Sequence, residues 1–404
     1  MQPETIQQQR GTQYENLLRL LGEPGSATEN VSALKATRMR SILNCYRLAE
    51  AYKKGTKVAY VSEQFPTEIV FAMGAIPWNI ESMAIMLAQS VDVNRIFQMT
   101  QEHELSRDIC SFLRGPFGMM LAECYPSPDI VLTNDQPCEG LSKMMFMSGK
   151  RYTAPVLGLH SPNSVDDDSL NYLVKQLEQM LLRIAHEFGV ELNGDSLRAA
   201  VDYSNQARAY YCKTLSLLET HRLPGVSREL QEIFGMNYFG TKENVQVCKV
   251  LYEEAVELVQ GEQNSGKRVL WIGQVPEESH ELLRHMREAV DIIFWAPLWE
   301  ANSVMLDEAQ PLRSIAERAI LYHWSAGRME KDILRICDAY GIEGFLIANV
   351  WGCRNMVGIS PMLRDVATSR KLKYLTVNLD LVDRNNYAFN HVKNRVDAFL
   401  ELMQ

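Results

Sequence analysis

Three cysteines, Cys110, Cys138 and Cys353, are the residues of this chain most suited to doing chemistry together. Each lies beside or just past the end of an expected strand or helix. Their settings are Cys110-Ser-Phe-Leu-Arg, Asn134-Asp-Gln-Pro-Cys138-Glu and Trp351-Gly-Cys353-Arg. Glycine, proline and polar neighbours mark loop or helix-start positions, where backbone N–H groups and the helix dipole favour a thiolate. Soft thiolates select zinc, copper(I) or iron–sulfur. Structural zinc wants four ligands, usually in close pairs such as Cys-x-x-Cys, and no such pair occurs here. A trio therefore favours an iron–sulfur cubane with one open iron. The bland alternative is that a free cysteine is a small buried apolar residue. Cys45, Cys124, Cys212, Cys248 and Cys337 fit that description, mostly within helices.

Thiols this far apart in sequence meet only if a fold gathers them, and the flanking elements suggest how. Residues 1–54 read as a helical arm, with Leu17, Leu18 and Leu21, then Leu34, Met39, Ile42 and Leu43 at helical spacing, ended by Gly55. A first α/β lobe, 55–165, opens with the strand Lys57-Val-Ala-Tyr-Val61. Pro66 can start a helix from Thr67 to Met73, closed by Gly74. Ala75–Ile80 then runs extended and a helix begins near Glu81. Asp129–Thr133 and Pro155–Leu159 are further strands, and Cys138 sits at the start of a helix over 139–150. From 166 to 262 the pattern is helix alone, a bridge of roughly four elements; Leu170, Leu173, Leu177, Leu181 and Ile184 form its first stripe. Its polar, glycine-bearing end, 260–266, reads as a linker.

A second α/β lobe occupies 263–404. Its strands are Arg268–Ile272, Asp291–Trp295, Gly344–Val350 and Lys373–Val377, alternating with helices near Glu277, Pro311, Met329, Pro361 and Asn390. Apolar runs separated by helices imply parallel strands covered on both faces. The expected fold class is thus α/β: two Rossmann-like parallel-sheet lobes joined by a helical segment, with an N-terminal helical arm. Loops gather at the carboxyl edges of such sheets, and two lobes leave a cleft between them.

Composition narrows the functions available. The chain has 404 residues, 46% hydrophobic and 23% charged, which suits two or three globular domains rather than one. A net charge of −9 argues against a nucleic-acid partner, which needs clustered Lys and Arg. No stretch approaches the ~18 apolar residues of a membrane span. The first residues carry no apolar signal core, so a cytoplasmic location with reduced thiols is expected. Three motif matches fail on context. Gly261–Lys267 lacks the Ser or Thr of a phosphate loop and precedes a strand rather than following one. His280 and His285 are five apart and do not share a helix face. No Gly-x-Gly-x-x-Gly follows a strand.

Four segments together resemble the 2-hydroxyacyl-CoA dehydratase family, which includes the ATP-dependent benzoyl-CoA reductase subunits. Lys57 through Pro77 is similar to its "strand, Pro-x-Glu, apolar helix, Gly-x-x-Pro" signature. The Cys110 and Cys138 segments resemble its first two cluster ligands, and Asn349-Val-Trp-Gly-Cys353-Arg354 through Pro361 the third. Leu379-Asp380 and Asn394-Arg395-Val-Asp-Ala-Phe399 resemble its closing strand and helix. The likeness spans about 55–404. It implies one [4Fe–4S] cluster held by Cys110, Cys138 and Cys353, with the open iron at the thioester end of an acyl-CoA substrate. It implies a related second subunit, in a heterodimer or homodimer, and an ATP-dependent iron–sulfur activator protein that injects one low-potential electron. An electron added to the thioester makes a ketyl radical, easing expulsion of a substituent or reduction of an aromatic ring. Glu81 resembles the family's catalytic glutamate. Ser62 stands one position from the place of its serine, which Glu63 occupies.

The resemblance implies either a dehydratase or an aromatic-ring reductase, and Trp78, Trp295 and Trp299 suit an aryl thioester or simple packing equally. Two other classes compete: a non-catalytic partner subunit that relays electrons or supports assembly, and a two-lobed metal-free binding module in which the cysteines merely pack.

Overall fold

The computed structural model describes residues 3–21, 34–88, 93–136, 138–260, 266–276, 280–295, 301, 303–322 and 325–404. The body of the expected linker at 260–266, the start of a helix near Glu277, and Trp299 lie outside them.

Among the described residues the strands form two four-stranded parallel sheets. The first contains β1 (Lys57–Val61), β2 (Ala75–Asn79), β3 (Ile130–Asn134) and β4 (Val156–Leu159), in the order β2-β1-β3-β4. The second contains β5 (Lys267–Gly273), β6 (Val290–Phe294), β7 (Gly344–Asn349) and β8 (Lys373–Asn378), in the order β6-β5-β7-β8. The two orders are the same, so the fold class expected from the sequence is the one observed. β1, β3, β5 and β7 are central and almost wholly buried, as their unbroken apolar runs require.

Helices α1 (Pro3–Leu21) and α2 (Lys35–Glu50) precede the first sheet. Arg10 on α1 is buried and ties that helix to the amino ends of β1 and β3, donating to the carbonyls of Ser127 and Thr56 and pairing with Asp129 at 2.7 Å. α2 docks elsewhere: the N–H groups of Lys35 and Ala36 donate to Glu254, and Arg40 pairs with Glu229. The first lobe adds α3 (Thr67–Ala72), α4 (Ile80–Ala88), α5 (Val93–Glu102), α6 (Ser111–Leu121) and α7 (Glu139–Tyr152). Gly74, at φ +70°, follows the end of α3 in the left-handed turn its sequence position anticipates.

The four helices α8 (Asp167–Phe188), α9 (Gly194–Thr220), α10 (Val226–Met236) and α11 (Lys242–Gln260) separate the sheets in the chain. α9 carries Leu197 and Val201 into the core of the first lobe, and Tyr211, Leu215 and Leu218 into the core of the second. At ~1.5 Å per residue this helix is about 40 Å long, enough to serve both cores. The second lobe is completed by α12 (Glu281–Arg287), α13 (Pro311–Leu321), α14 (Ala326–Tyr340), α15 (Arg354–Ser369) and α16 (Phe389–Met403). Two features depart from the sequence expectation. α15 starts seven residues before Pro361, which lies inside it, because Cys353 and not the proline stands at its N-cap. α13 packs against the first lobe, placing Ile315, Ala316 and Ile320 in the core that β1 and β3 share with α8. No described helix is long and apolar enough to cross a membrane.

Candidate active site

The residues singled out by type gather where the carboxyl edges of the sheets meet. Ser62 and Glu63 follow β1, Glu81 follows β2, Cys138 follows β3 and Cys353 follows β7. In both sheets the edge between the first and third strands in chain order is where consecutive connections diverge to opposite sides, the position at which such sheets bind ligands. Cys138 and Cys353 occupy equivalent places. Each stands four residues beyond an asparagine ending the third strand of its sheet, Asn134 and Asn349, and each is the N-cap of the helix that follows. Cys110 caps α6 in the same way.

The second lobe reaches the first through Gly352. A Cβ on this residue would lie 2.4 Å from the carbonyl oxygen of Asp108 and 2.6 Å from the nitrogen of Cys110. Only glycine allows that approach, and its φ of +76° adds a second reason for it. Around this contact Ser111 donates to Asp380 at 2.7 Å, and Arg114, fully buried, bonds the Ile109 carbonyl at 2.8 Å and Asp383 at 2.9 Å. Asp380 also accepts from the N–H groups of Val382 and Asp383 and from Asn386. The turn after β8 is thereby locked against the segment carrying Cys110.

All three thiols are half-buried. Burial is the main cause raising their pKa values: Cys138 is pushed up to about 11, Cys110 well above the ordinary value, and Cys353 upward. The thiols also act on one another, Cys353 raising both Cys110 and Cys138. Helix-start N–H groups pull the other way, from Phe112 on Cys110, Leu141 and Gly140 on Cys138, and Met356 and Asn355 on Cys353. One of these, from Leu141 to Cys138 Sγ, closes a hydrogen bond at 3.4 Å. Among the described residues no three His, Cys, Asp or Glu side chains are close enough to share a single ion. A cubane makes a different demand, since it carries its thiolates on separate irons. Three soft donors, mutually in electrostatic range and each facing helix-start N–H groups, fit such a cluster.

Glu81 completes the site. Asn79 accepts from the N–H groups of Glu81 and Ser82 at 3.0 and 3.2 Å and so fixes the start of α4. The Glu81 carboxylate accepts the Glu63 N–H at 3.0 Å, and its charge is felt by Cys138 and Cys353. Glu63 and Glu81 are a coupled pair. Burial raises both pKa values, Glu63 up to about 8 with the Glu81 charge second and Glu232 third, and Glu81 up to about 7. Ser62 is oriented differently: its hydroxyl is buried and hydrogen-bonded to Asn134 Oδ1, while the Asn134 N–H donates back to Ser62 Oγ at 3.3 Å. Trp78 is buried against Tyr52 and Tyr125, and Trp295 is buried with its indole N–H on Asp332; both pack.

The Glu63 carboxyl carries a testable consequence. Its folded pKa lies above the unfolded value, so the folded chain holds more protons and stability falls as pH rises from 4.5 toward about 8. Glu63→Gln is expected to flatten that fall. Melting temperature measured against pH would check it, and a slope equal to wild type would discard the assignment.

Equivalent strand edges from two sheets define a two-lobed α/β protein in which three capping thiols and a carboxyl pair lie between the lobes. The chain belongs to the 2-hydroxyglutaryl-CoA dehydratase, D-component family (HGD-D), whose model matches residues 63–403. It is also 21% identical over 221 residues to the (R)-phenyllactyl-CoA dehydratase alpha subunit of Clostridium sporogenes, covering 52% of this chain and 54% of that one. The chain thus spans about half the length of the curated relative it matches.

Sequence reasoning singled out the thiols, Glu81 and Ser62 as candidates but not the residues that position them: Asn79, Ser111, Arg114, Gly352 and Asp383. One signal was available, the repeat of Asn-x-x-x-Cys before a helix in both lobes. The pairs Ser111–Asp380 and Arg114–Asp383 join residues 269 positions apart and leave no local trace.

Proposed function

We propose that this chain is the iron–sulfur subunit of an enzyme that removes water from a 2-hydroxyacyl-CoA. The observation that carries the reading is the convergence of Cys110, Cys138 and Cys353, each a helix N-cap, beside Glu81 at the lobe interface. The three cysteines would hold a [4Fe–4S] cluster. When bound, the cluster would supply low-potential electron transfer and an open iron for the thioester carbonyl.

The remaining work falls to the chain's own residues. Glu81, fixed by Asn79 and raised toward neutral pH by burial, suits a general base that takes a substrate proton beside the thioester. Glu63, adjacent to it, would hold a second proton and keep the pair from ionising together. Ser62, joined to Asn134, is a positioning residue that fixes the end of β1 against β3. The family name and the relative's designation as an alpha subunit support a second subunit, and the electron would come from a separate ATP-dependent activator, as the family resemblance implies.

The test is purification without oxygen, with the second subunit and activator, and assay with 2-hydroxyacyl-CoA thioesters. A brown protein with about four irons per chain that releases water from the thioester is expected. A colourless chain that takes up no iron on reconstitution would leave only the metal-free reading. Colour without turnover, restored by no thioester, would make it an electron-relay subunit, a reading that the inward-turned Ser62 hydroxyl favours.

A further inference from the structure

The geometry points to the last turn of α10, and above all to Asn237, as the device that positions the Glu63–Glu81 carboxyl pair. Asn237 is the C-cap of α10 and takes the left-handed conformation, at φ +49°. Its Nδ2 donates to the carbonyls of Glu63 and Phe65, both at 2.9 Å, and its Oδ1 accepts from Thr67 Oγ1 at 3.1 Å. One amide thus clasps the loop between β1 and α3. Two residues earlier, the Gly235 carbonyl accepts from Asn79 Nδ2 at 3.0 Å and from Ser82 Oγ at 2.7 Å. Asn79 is the residue that caps α4 and so aims Glu81.

One helix end therefore holds both carboxyl-bearing segments. β1 and β2 are paired as far as Val61 and Asn79. Beyond that edge one chain enters a loop and the other enters α4, and the α10 turn touches both. The bond between them, from the Glu63 N–H to Glu81 Oε2 at 3.0 Å, depends on where each segment is held. The remainder of α10 makes it a stiff reference. Its start is tied to the second lobe, where Ser227 Oγ donates to the Ile292 carbonyl and Arg228 Nε to the Pro276 carbonyl, both at 3.0 Å. Its middle is paired with the N-terminal arm, Arg40 reaching both Glu229 and Glu232. Leu230, Ile233 and Phe234 are buried along it.

The same turn shapes the surroundings of the pair. A Cβ on Gly235 would lie 3.6 Å from Glu63 Oε1, so the helix end closes that side of the carboxyl. The charges acting on Glu63 are Glu81 from α4 and Glu232 from α10. Glu232 is itself paired with Arg40 at 3.5 Å and Arg228 at 3.2 Å. The catalytic consequence rests on Glu81 being the base, whereas the clasp itself does not.

Infrared titration of the whole chain labelled with ¹³C-glutamate tests the assignment and needs no cluster. Glu63→Gln and Glu81→Gln identify the bands of the pair. Asn237→Gly keeps the left-handed backbone, which glycine adopts freely, and removes the clasp. It should shift the titration of the pair downward as water reaches the carboxyls. Gly235→Ala, whose methyl meets Glu63 Oε1 at ordinary contact distance, should shift it upward. Ser227→Ala loosens the far end of the same helix and should leave it in place. Unmoved bands in both Asn237→Gly and Gly235→Ala, or an equal shift in Ser227→Ala, would overturn the positioning role. In the assembled enzyme Asn237→Gly should lower kcat about tenfold to a hundredfold with KM nearly unchanged. A wild-type kcat there, in an enzyme that Glu81→Gln inactivates, would overturn it too. Wild-type turnover in Glu81→Gln would instead discard the base, and the infrared shifts would still decide the positioning.

Discussion

Alanine at Cys353 is expected to abolish most of the visible absorbance and iron of anaerobically reconstituted protein while leaving its unfolding curve nearly unmoved. The reasoning separates two roles that a cysteine can have. Cys353 is half-buried, at the start of α15, with its Sγ facing helix-start N–H groups and the thiols of the first lobe. Removing one sulfur from such a position costs little packing, about 0.5 kcal/mol or less. On the proposed reading, removing one of the three protein ligands would take away the second lobe's whole share of the cluster's coordination. Cys248 supplies the contrast. It is 1% exposed, inside the core that α9 and α11 share, so Cys248→Ala should cost stability of about 1 kcal/mol and keep the spectrum. A Cys353→Ala protein with an unchanged spectrum and iron content would exclude this residue as a ligand. If Cys353→Ala lost stability and Cys248→Ala lost iron, the assignment of roles would be inverted.

The contrast also shows which parts of the molecule its sequence made legible. The strands could be read because β1, β3, β5 and β7 are buried on both faces, so their residues had to be apolar in unbroken runs; observed ends fall within a residue or two of those expected. α15 was misplaced because proline at a helix start is a strong local signal, and here a cysteine at the N-cap overrides it. Loop neighbours set the three thiols apart from Cys124, Cys248 and Cys337, which are buried as expected, whereas Cys45 is exposed and Cys212 half-buried, against the expectation that they too would be buried. What joins the lobes was not legible. The docking of α13 on the first sheet, and the ties from Ser111 to Asp380 and from Arg114 to Asp383, depend on three-dimensional proximity between distant segments. Each partner looks ordinary in its own window: a serine, an aspartate, an amphipathic helix. Ser62 illustrates the same limit at one residue. Its position after β1 is that of a site residue, yet its hydroxyl is drawn into the sheet edge by Asn134, 72 positions away.

Gly352→Ala is expected to cause nearly as great a loss of iron as Cys353→Ala, with every thiol retained. A Cβ here would meet backbone on the opposing segment, the Asp108 oxygen at 2.4 Å and the Cys110 nitrogen at 2.6 Å. Neither is the end of a flexible side chain, so relief requires the Trp351–Cys353 turn and the Cys110 segment to part by about 1 Å. The positive φ adds about 1–2 kcal/mol of local strain for an L side chain. Separation is the outcome a bridging site tolerates least, because Cys110 and Cys353 arrive from different lobes and this contact sets the distance between them. The ties at Asp380 and Asp383 lie beside the contact and oppose the movement, so the strain should appear as both a lowered unfolding midpoint and a weakened cluster. Gly327→Ala is the control: Gly327 has ordinary φ and no atom within 4 Å of a built Cβ, and it should bind iron as wild type does. If Gly352→Ala took up full iron with a wild-type spectrum, the lobe contact would have no part in assembling the site, and the three cysteines would have to be brought together by other elements.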